Sequence, residues 1–210
     1  MLDKREEALI PFIEEARISL SEVDPRQIAA RSGVKFDTVE QLFHLRFLKW
    51  AFTVSYPGFI VRAASPQQTE GSPWLHAVIL YYFSLADGTP VKGEWISLRQ
   101  IPDGLLYDQA FQGYAPDKLA AVVGNDLDRF KKNAEWLGGK AEDMGDAAYS
   151  FLVLPRVPLA VAYWLGDEEF PPAANVLFHS SSTHYLPTFA LANVGLRTCL
   201  LLMKGSGQIK

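Results

Sequence analysis

Cysteine is almost missing from this chain: one residue, Cys199, in 210. That excludes a disulfide within the chain and an iron–sulfur cluster held by the chain's own thiolates alone. Positive charge has no surplus either. Lys and Arg total 20 against 24 Asp and Glu, a net charge of −4, so the excess that sequence-independent binding to nucleic acid or an anionic membrane draws on is absent. Unbroken hydrophobic runs are also scarce. Ala147 to Leu165 comes nearest, nineteen residues interrupted only by Arg156, and that is close to the length of a membrane span. Pro155 and Pro158 bracket the arginine, however, and the flanks Tyr149–Val153 and Leu159–Trp164 are rich in strand formers. Two buried strands joined by a Pro-Arg-Val-Pro turn are the better reading, and no membrane partner is expected. Asp3, Lys4, Arg5, Glu6 and Glu7 crowd the N-terminus, the wrong order for a cleaved signal peptide, which points to the cytoplasm.

What is present is a globular composition, 49% hydrophobic and 12% aromatic, far from the polar, highly charged balance that keeps chains disordered. Leu9, Ile13, Ala16 and Leu20 recur at helical spacing, the stripe of an amphipathic helix. Asp24-Pro25 caps a second helix that Gly33 stops. Asp37 with Glu40 has the spacing of a capping box and predicts a third helix. Phe52–Tyr56, Pro57-Gly58 and Phe59–Arg62 predict a β-hairpin, Ser65–Ser72 a polar loop, and Trp74–Ala86 a helix apolar nearly all round. Glu94–Leu98 is a strand candidate, and Pro102-Asp103-Gly104 opens an irregular stretch. One long surface helix is predicted from Pro116 to Leu137, ended by Gly138-Gly139. The two long strands follow, then a strand at Asn175–Phe178 and a last helix from Thr188 to about Met203. No repeat, low-complexity tract or separating linker occurs. The reading is one α+β domain over 1–210: a helical N-terminal segment (1–49) packed on an antiparallel or mixed β-sheet with buried and flanking helices (50–204), and a frayed tail (205–210).

Three separated stretches carry a resemblance: Asp87-Gly88-Thr89-Pro90 leading into Gly93-Glu94-Trp95-Ile96-Ser97-Leu98-Arg99; Leu154-Pro155-Arg156-Val157-Pro158-Leu159 leading into Gly166-Asp167-Glu168-Glu169-Phe170-Pro171-Pro172; and His184-Tyr185-Leu186-Pro187-Thr188. In that order they resemble a family of uncharacterised proteins found mainly in anaerobic bacteria and archaea and filed as a domain of unknown function, over about Leu20 to Leu200. The family offers no catalytic residues to carry over. Some of its members look fused to, or associated with, iron–sulfur modules, so the resemblance implies a setting of anaerobic redox or metallocofactor metabolism and a redox or metallocofactor protein as partner. His179 stands where the resemblance leads one to expect Asp.

Candidate chemistry gathers around the acidic turn Asp167-Glu168-Glu169 with His179 and His184 after it. Carboxylates and imidazoles suit zinc, iron or manganese, which makes Asp167, His179 and His184 metal candidates, and a histidine beside carboxylates can act as general acid or base. No His-Glu-x-x-His, paired-Cys or Asp-x-Asp pattern supports a metal, and a solvated turn is the plainer alternative. Arg156 and Arg99 lie among apolar neighbours, where an unpaired guanidinium is costly to bury. Each is expected either to pair with a carboxylate such as Glu94, Asp167 or Glu168, or to grip a ligand carboxylate or phosphate. The candidate ligand-binding set is therefore Arg99, Arg156, Asp167, Glu168, Glu169 and His184. His44 and His76 read as packed or partly exposed helix residues, Cys199 as a small buried hydrophobe.

Two functions of different class follow: an accessory or ligand-binding protein, or a small-molecule enzyme, metal-dependent in one version, using the Asp167–Glu169 turn with His184 and Arg156. Residues 28–42 also imitate a DNA-binding helix-turn-helix. Against that, its second helix would start with acidic residues and carry Phe43, Phe47 and Leu48, so no nucleic-acid partner is expected. Cofactor and oligomeric state have no signal in the sequence.

Overall fold

A computed structural model describes residues 7–65 and 72–205. Most of the predicted polar loop (66–71) and nearly all of the predicted tail (206–210) lie outside them. The chain forms two compact units. The first takes the chain up to Pro90 together with Leu154–Arg156 and His184–Pro187; the second holds Val91–Val153, Val157–Thr183 and the chain from Thr188 on.

In the first unit, helix α1 (Ile10–Ser21) buries Ile13, Ala16 and Leu20, the predicted stripe. Asp24 caps α2 (Pro25–Ser32) by accepting the Arg26 N–H at 2.8 Å, and Gly33 ends it at φ +72°. The helix expected from Asp37 does not form. Strands β1 (Lys35–Asp37), β2 (Leu42–Phe47), β3 (Trp50–Ser55) and β4 (Val61–Ala63) occupy that region, an antiparallel sheet in the order β1-β2-β3-β4. The reason is periodicity: Phe43, Leu45 and Phe47 are buried while His44 and Arg46 between them are exposed, a repeat of two that a helix cannot satisfy. Asp37 still caps, but its Oδ1 accepts from Val39 and Glu40 N–H (2.8 and 3.0 Å) to close a tight turn between β1 and β2. The imitation helix-turn-helix thus has no second helix, and His44 sits on a strand. The predicted hairpin is β3 with β4, Val54 opposite Val61.

Helix α3 (Pro73–Leu85) takes the buried position its composition predicts, with Leu75, Ala77, Val78, Ile79, Leu80, Tyr82 and Phe83 all inaccessible. Phe43 of the sheet lies 5.0 Å from Phe83, ring centre to ring centre, and 6.0 Å from Phe59. Aromatic packing of this kind adds to the burial of area itself. Ala86 closes α3 and delivers Asp87 at its end.

The second unit is built on a five-stranded sheet. Strands β5 (Trp95–Ser97), β6 (Lys140–Glu142), β7 (Ala147–Leu154), β8 (Val157–Trp164) and β9 (Ala173–His179) lie in the order β5-β9-β8-β7-β6. Leu159 to Tyr163 are buried without a break, so β8 is covered on both faces; this accounts for a run apolar enough to approach membrane length. Helices α4 (Gly104–Tyr114), α5 (Pro116–Val123), α6 (Leu127–Trp136) and α7 (Thr188–Lys204) pack with it, α5 against β9 and α7. The stretch opened by Pro102 is helical rather than irregular. The predicted long helix is two helices, because Gly124 takes φ +62° and ψ −140°, a conformation open to glycine and strained for other residues. Asp126 then caps α6 through the Arg129 N–H at 2.9 Å. The stripe survives the break, with Leu119, Val123, Phe130, Ala134 and Leu137 buried.

The fold class is α+β, as expected. Among the described residues, no helix is long and apolar enough to cross a membrane.

Candidate functional site

The end of α3, the turn between β7 and β8, and the segment that follows β9 each contribute to one cluster inside the first unit. Asp87 starts it. Its Oδ1 accepts the Thr89 N–H at 2.8 Å, and its Oδ2 lies 2.6 Å from His184 Nδ1. Thr89 Oγ1 is 3.2 Å from the same imidazole nitrogen. The Thr89 N–H and hydroxyl, joined by His184, hold the Asp87 carboxyl down to about 2 from its usual 3.8. A carboxylate so held only accepts, so the proton between Asp87 and His184 belongs to Nδ1. Neutral His184 therefore carries its lone pair on Nε2, and half of the side chain is open to solvent (47% exposed).

Arg156 sits behind this pair. The expected carboxylate partner is replaced by backbone: Nη1 donates to the carbonyls of Gly88 (3.2 Å) and Thr89 (3.3 Å), and Nη2 to Ala30 at 3.5 Å, in the last turn of α2. A cation at the negative end of a helix dipole and on two turn carbonyls has its charge compensated without a carboxylate. Among the described residues it makes no ion pair. A Cβ on Gly33 would lie 2.8 Å from Arg156 Nε, so the guanidinium would have to shift, and the φ of +72° itself favours glycine there.

Two tyrosines complete the cluster. Tyr185 donates its hydroxyl to the Thr89 carbonyl and Tyr82 donates to Ser32, the residue before the Gly33 cap. Their ring centres lie 5.7 Å apart, and both are fully buried as residues. Burial raises both phenols above their ordinary value, opposed at both by Arg156. The loop Asp87-Gly88-Thr89 is thereby held by Arg156 and Tyr185 through its carbonyls and by His184 through the Asp87 and Thr89 side chains, His184 remaining half open to solvent.

Arg99, Asp167, Glu168, Glu169 and His179 lie in the second unit. Asp167 turns its carboxylate on its own loop: Oδ1 accepts from Glu169 and Phe170 N–H at 2.9 and 2.8 Å, which lowers its pKa. Asn125 fixes the same loop through two hydrogen bonds with the Gly166 backbone, at 2.8 and 3.1 Å. Glu168 and Glu169 are exposed beside it. Arg99 is exposed on the single 3₁₀ turn Leu98–Gln100, so its guanidinium is solvated and escapes the burial cost that suggested a partner. His179 is buried, its Nδ1 2.7 Å from Ser181 Oγ and its ring edge-on to Trp95 at 5.7 Å; burial lowers its pKa. His76 donates to the Phe59 carbonyl at 2.6 Å, and His44 is exposed. Among the described residues, no three His, Cys, Asp or Glu side chains gather as a metal would require.

Arg156 and His184 are thus brought to one cluster, through Thr89. Asp87, Thr89, Tyr82 and Tyr185 are functional candidates that side-chain reasoning on the acidic turn passed over. Asp87, Thr89 and Tyr185 lie within the three ordered stretches, of which Asp87–Pro90, Leu154–Arg156 and His184–Pro187 all end in this unit; Tyr82 lies outside them.

Residues 24–200 match the family model described as a domain of unknown function (DUF3786). The chain belongs to that family. No curated protein and no solved structure matches it.

Proposed function

We propose that this DUF3786 chain is a small-molecule-binding protein that engages its ligand through His184 Nε2, with Asp87 and Thr89 orienting the imidazole. The observation that carries the reading is the 2.6 Å pair between His184 Nδ1 and Asp87 Oδ2 on a half-exposed histidine. A side chain anchored at one nitrogen loses little further freedom when the other meets a ligand, which lowers the cost of binding. Nε2 accepts from a hydroxyl or acid when His184 is neutral, and donates to an anion when it is protonated. Arg156 acts as the brace of the loop. The setting we propose, an accessory role in anaerobic redox or metallocofactor metabolism in the cytoplasm with a redox or metallocofactor protein as partner, rests on the resemblance carried by the three ordered stretches.

A second reading is favoured by one specific feature. Asp87 Oδ2, 2.6 Å from His184 Nδ1, stands where the orienting carboxylate of a histidine general base would stand. On that reading the same Nε2 removes a proton from the bound molecule and the protein is an enzyme.

Native mass spectrometry of anaerobically purified protein tests the first reading. A small molecule retained by the parent chain and lost from His184→Ala, with His184→Gln partly retaining it, is the expected result. The same adduct on all three, or an adduct on none, overturns it. If the adduct on the parent chain differs in mass from the form taken up from the medium, and Asp87→Asn holds the unconverted form, the second reading replaces the first.

A further inference from the structure

The solvent face of the first unit's sheet carries three basic side chains placed by strand register, two of them, Lys35 and Arg62, at the ends of one row across the strands. Lys35 is opposite His44, His44 opposite Thr53, and Thr53 opposite Arg62, one residue from each of the four strands. With strands ~4.8 Å apart the row runs ~14 Å across the sheet. Arg46 stands two residues along β2 from His44, on the same face, ~7 Å away. Lys35, His44, Arg46 and Arg62 are all exposed. The other face of these strands carries Phe43, Leu45, Phe47, Phe52, Val54 and Val61, all buried, so the row cannot turn inward without exposing the core.

The charge of this face opposes that of the chain. Among the described residues of these strands, Lys35, Arg46 and Arg62 share the face with one carboxylate, Asp37, whose Oδ1 is committed to the backbone of Val39 and Glu40, in a protein of net charge −4. The rest of the face is Leu42, Ala51, Thr53 and Ser55. Among the described residues of these strands, this face carries no aromatic side chain on which a nucleobase could stack, the feature that single-strand binders rely on. A sheet face presenting Lys35, Arg46 and Arg62, with His44 among them, complements a surface of carboxylates.

We propose that this face docks an acidic surface of a partner protein, the Asp and Glu side chains of the partner meeting Lys35, Arg46 and Arg62. The face is independent of the His184 cluster, so either can fail alone. Fluorescence anisotropy with a labelled oligoglutamate peptide tests it in the full chain, at about 20 mM and about 500 mM salt, where screening differs several-fold in range. Expected is binding at low salt that weakens about ten-fold or more in the charge-reversed K35E/R46E/R62E, and to a lesser degree in K35Q/R46Q/R62Q, which changes the sheet surface less. The control K118E/K132E/K140E removes the same charge from the second unit and should bind nearly as the parent does. No binding by the parent chain at low salt overturns the proposal, as does equal weakening by the control. Tighter binding of single-stranded DNA than of the peptide overturns the choice of an acidic protein as the partner.

Discussion

At the scale of single residues, Asp87 gives the clearest pH signature. Its folded carboxyl lies near 2 and its unfolded one near 3.8, so the ionised form is favoured by folding. Its contribution is complete above about pH 4 and is lost as pH falls through about 2. Thermal melts between pH 5 and pH 2 should show the parent chain losing its advantage over Asp87→Asn across that window; parallel curves would mean that the Thr89 and His184 contacts do not hold the carboxylate in solution. About half of the Asp87 side chain is open to water, so the effect is small.

Gly33 and Arg156 allow a prediction of larger size. Gly33→Ala places a Cβ 2.8 Å from Arg156 Nε at φ +72°, and both the conformation and the contact oppose it. A loss of about 1–2 kcal/mol is expected from the left-handed backbone alone. Arg156→Met leaves the Gly88 and Ala30 carbonyls without their Arg156 donor, while Thr89 keeps the Tyr185 hydroxyl; the loss is about 1–3 kcal/mol, nearer the lower figure because water reaches the half-exposed site. Urea denaturation measures both. The double variant should lose less than the sum, since the alanine methyl meets a guanidinium only while Arg156 is there; strict additivity would argue that the two do not touch.

At the scale of elements, legibility in the sequence followed the length of the periodic signal. The helix over Pro73–Leu85 and the pair of strands around Pro155–Pro158 were readable because a run of apolar residues with proline or glycine at each end has few alternatives. The region 35–47 was misread as helix because Asp37 with Glu40 has the spacing of a capping box, and the same geometry also closes a turn between strands. Leu42-Phe43-His44-Leu45-Arg46-Phe47 alternates strictly enough to decide the matter, but six residues of strand compete poorly with a capping signal when read alone. Gly124 was overlooked because its neighbours kept the apolar stripe on both sides of the break. This predicts that Gly124→Ala does not mend the two helices into one. No atom lies within 4 Å of the added Cβ, so the whole cost is backbone strain, about 1–3 kcal/mol, measured as a lowered urea midpoint with unchanged helical circular dichroism. A rise in helical signal would show that α5 and α6 had fused.

At the scale of the molecule, the site was harder to read than the fold because its parts are far apart in the chain and none is unusual by itself. Arg156 and His184 were identifiable as chemistry-bearing residues. Asp87, their meeting point through the Thr89 loop, looked like an ordinary helix-ending turn until the strand order brought residues 154–156 and 184–187 into the first unit. No spacing rule predicts that long-range closure; it follows from β8 and β9 returning the chain along the second unit's sheet. The lone cysteine supplies a way to ask whether that second unit opens. Cys199 is fully buried in α7, and burial pushes its thiol up to about 12, so the native protein should hold almost no thiolate at neutral pH. Reaction with a thiol reagent should then be slow in native buffer and yield one equivalent after full unfolding. Under fast reclosing its rate should rise with urea in step with the free energy of opening. If labelling instead proceeds quickly in native buffer and shows no dependence on urea, α7 leaves the sheet in a local motion, and the second unit is less cooperative than its continuous core of Leu159–Tyr163, Phe130 and Leu202 implies.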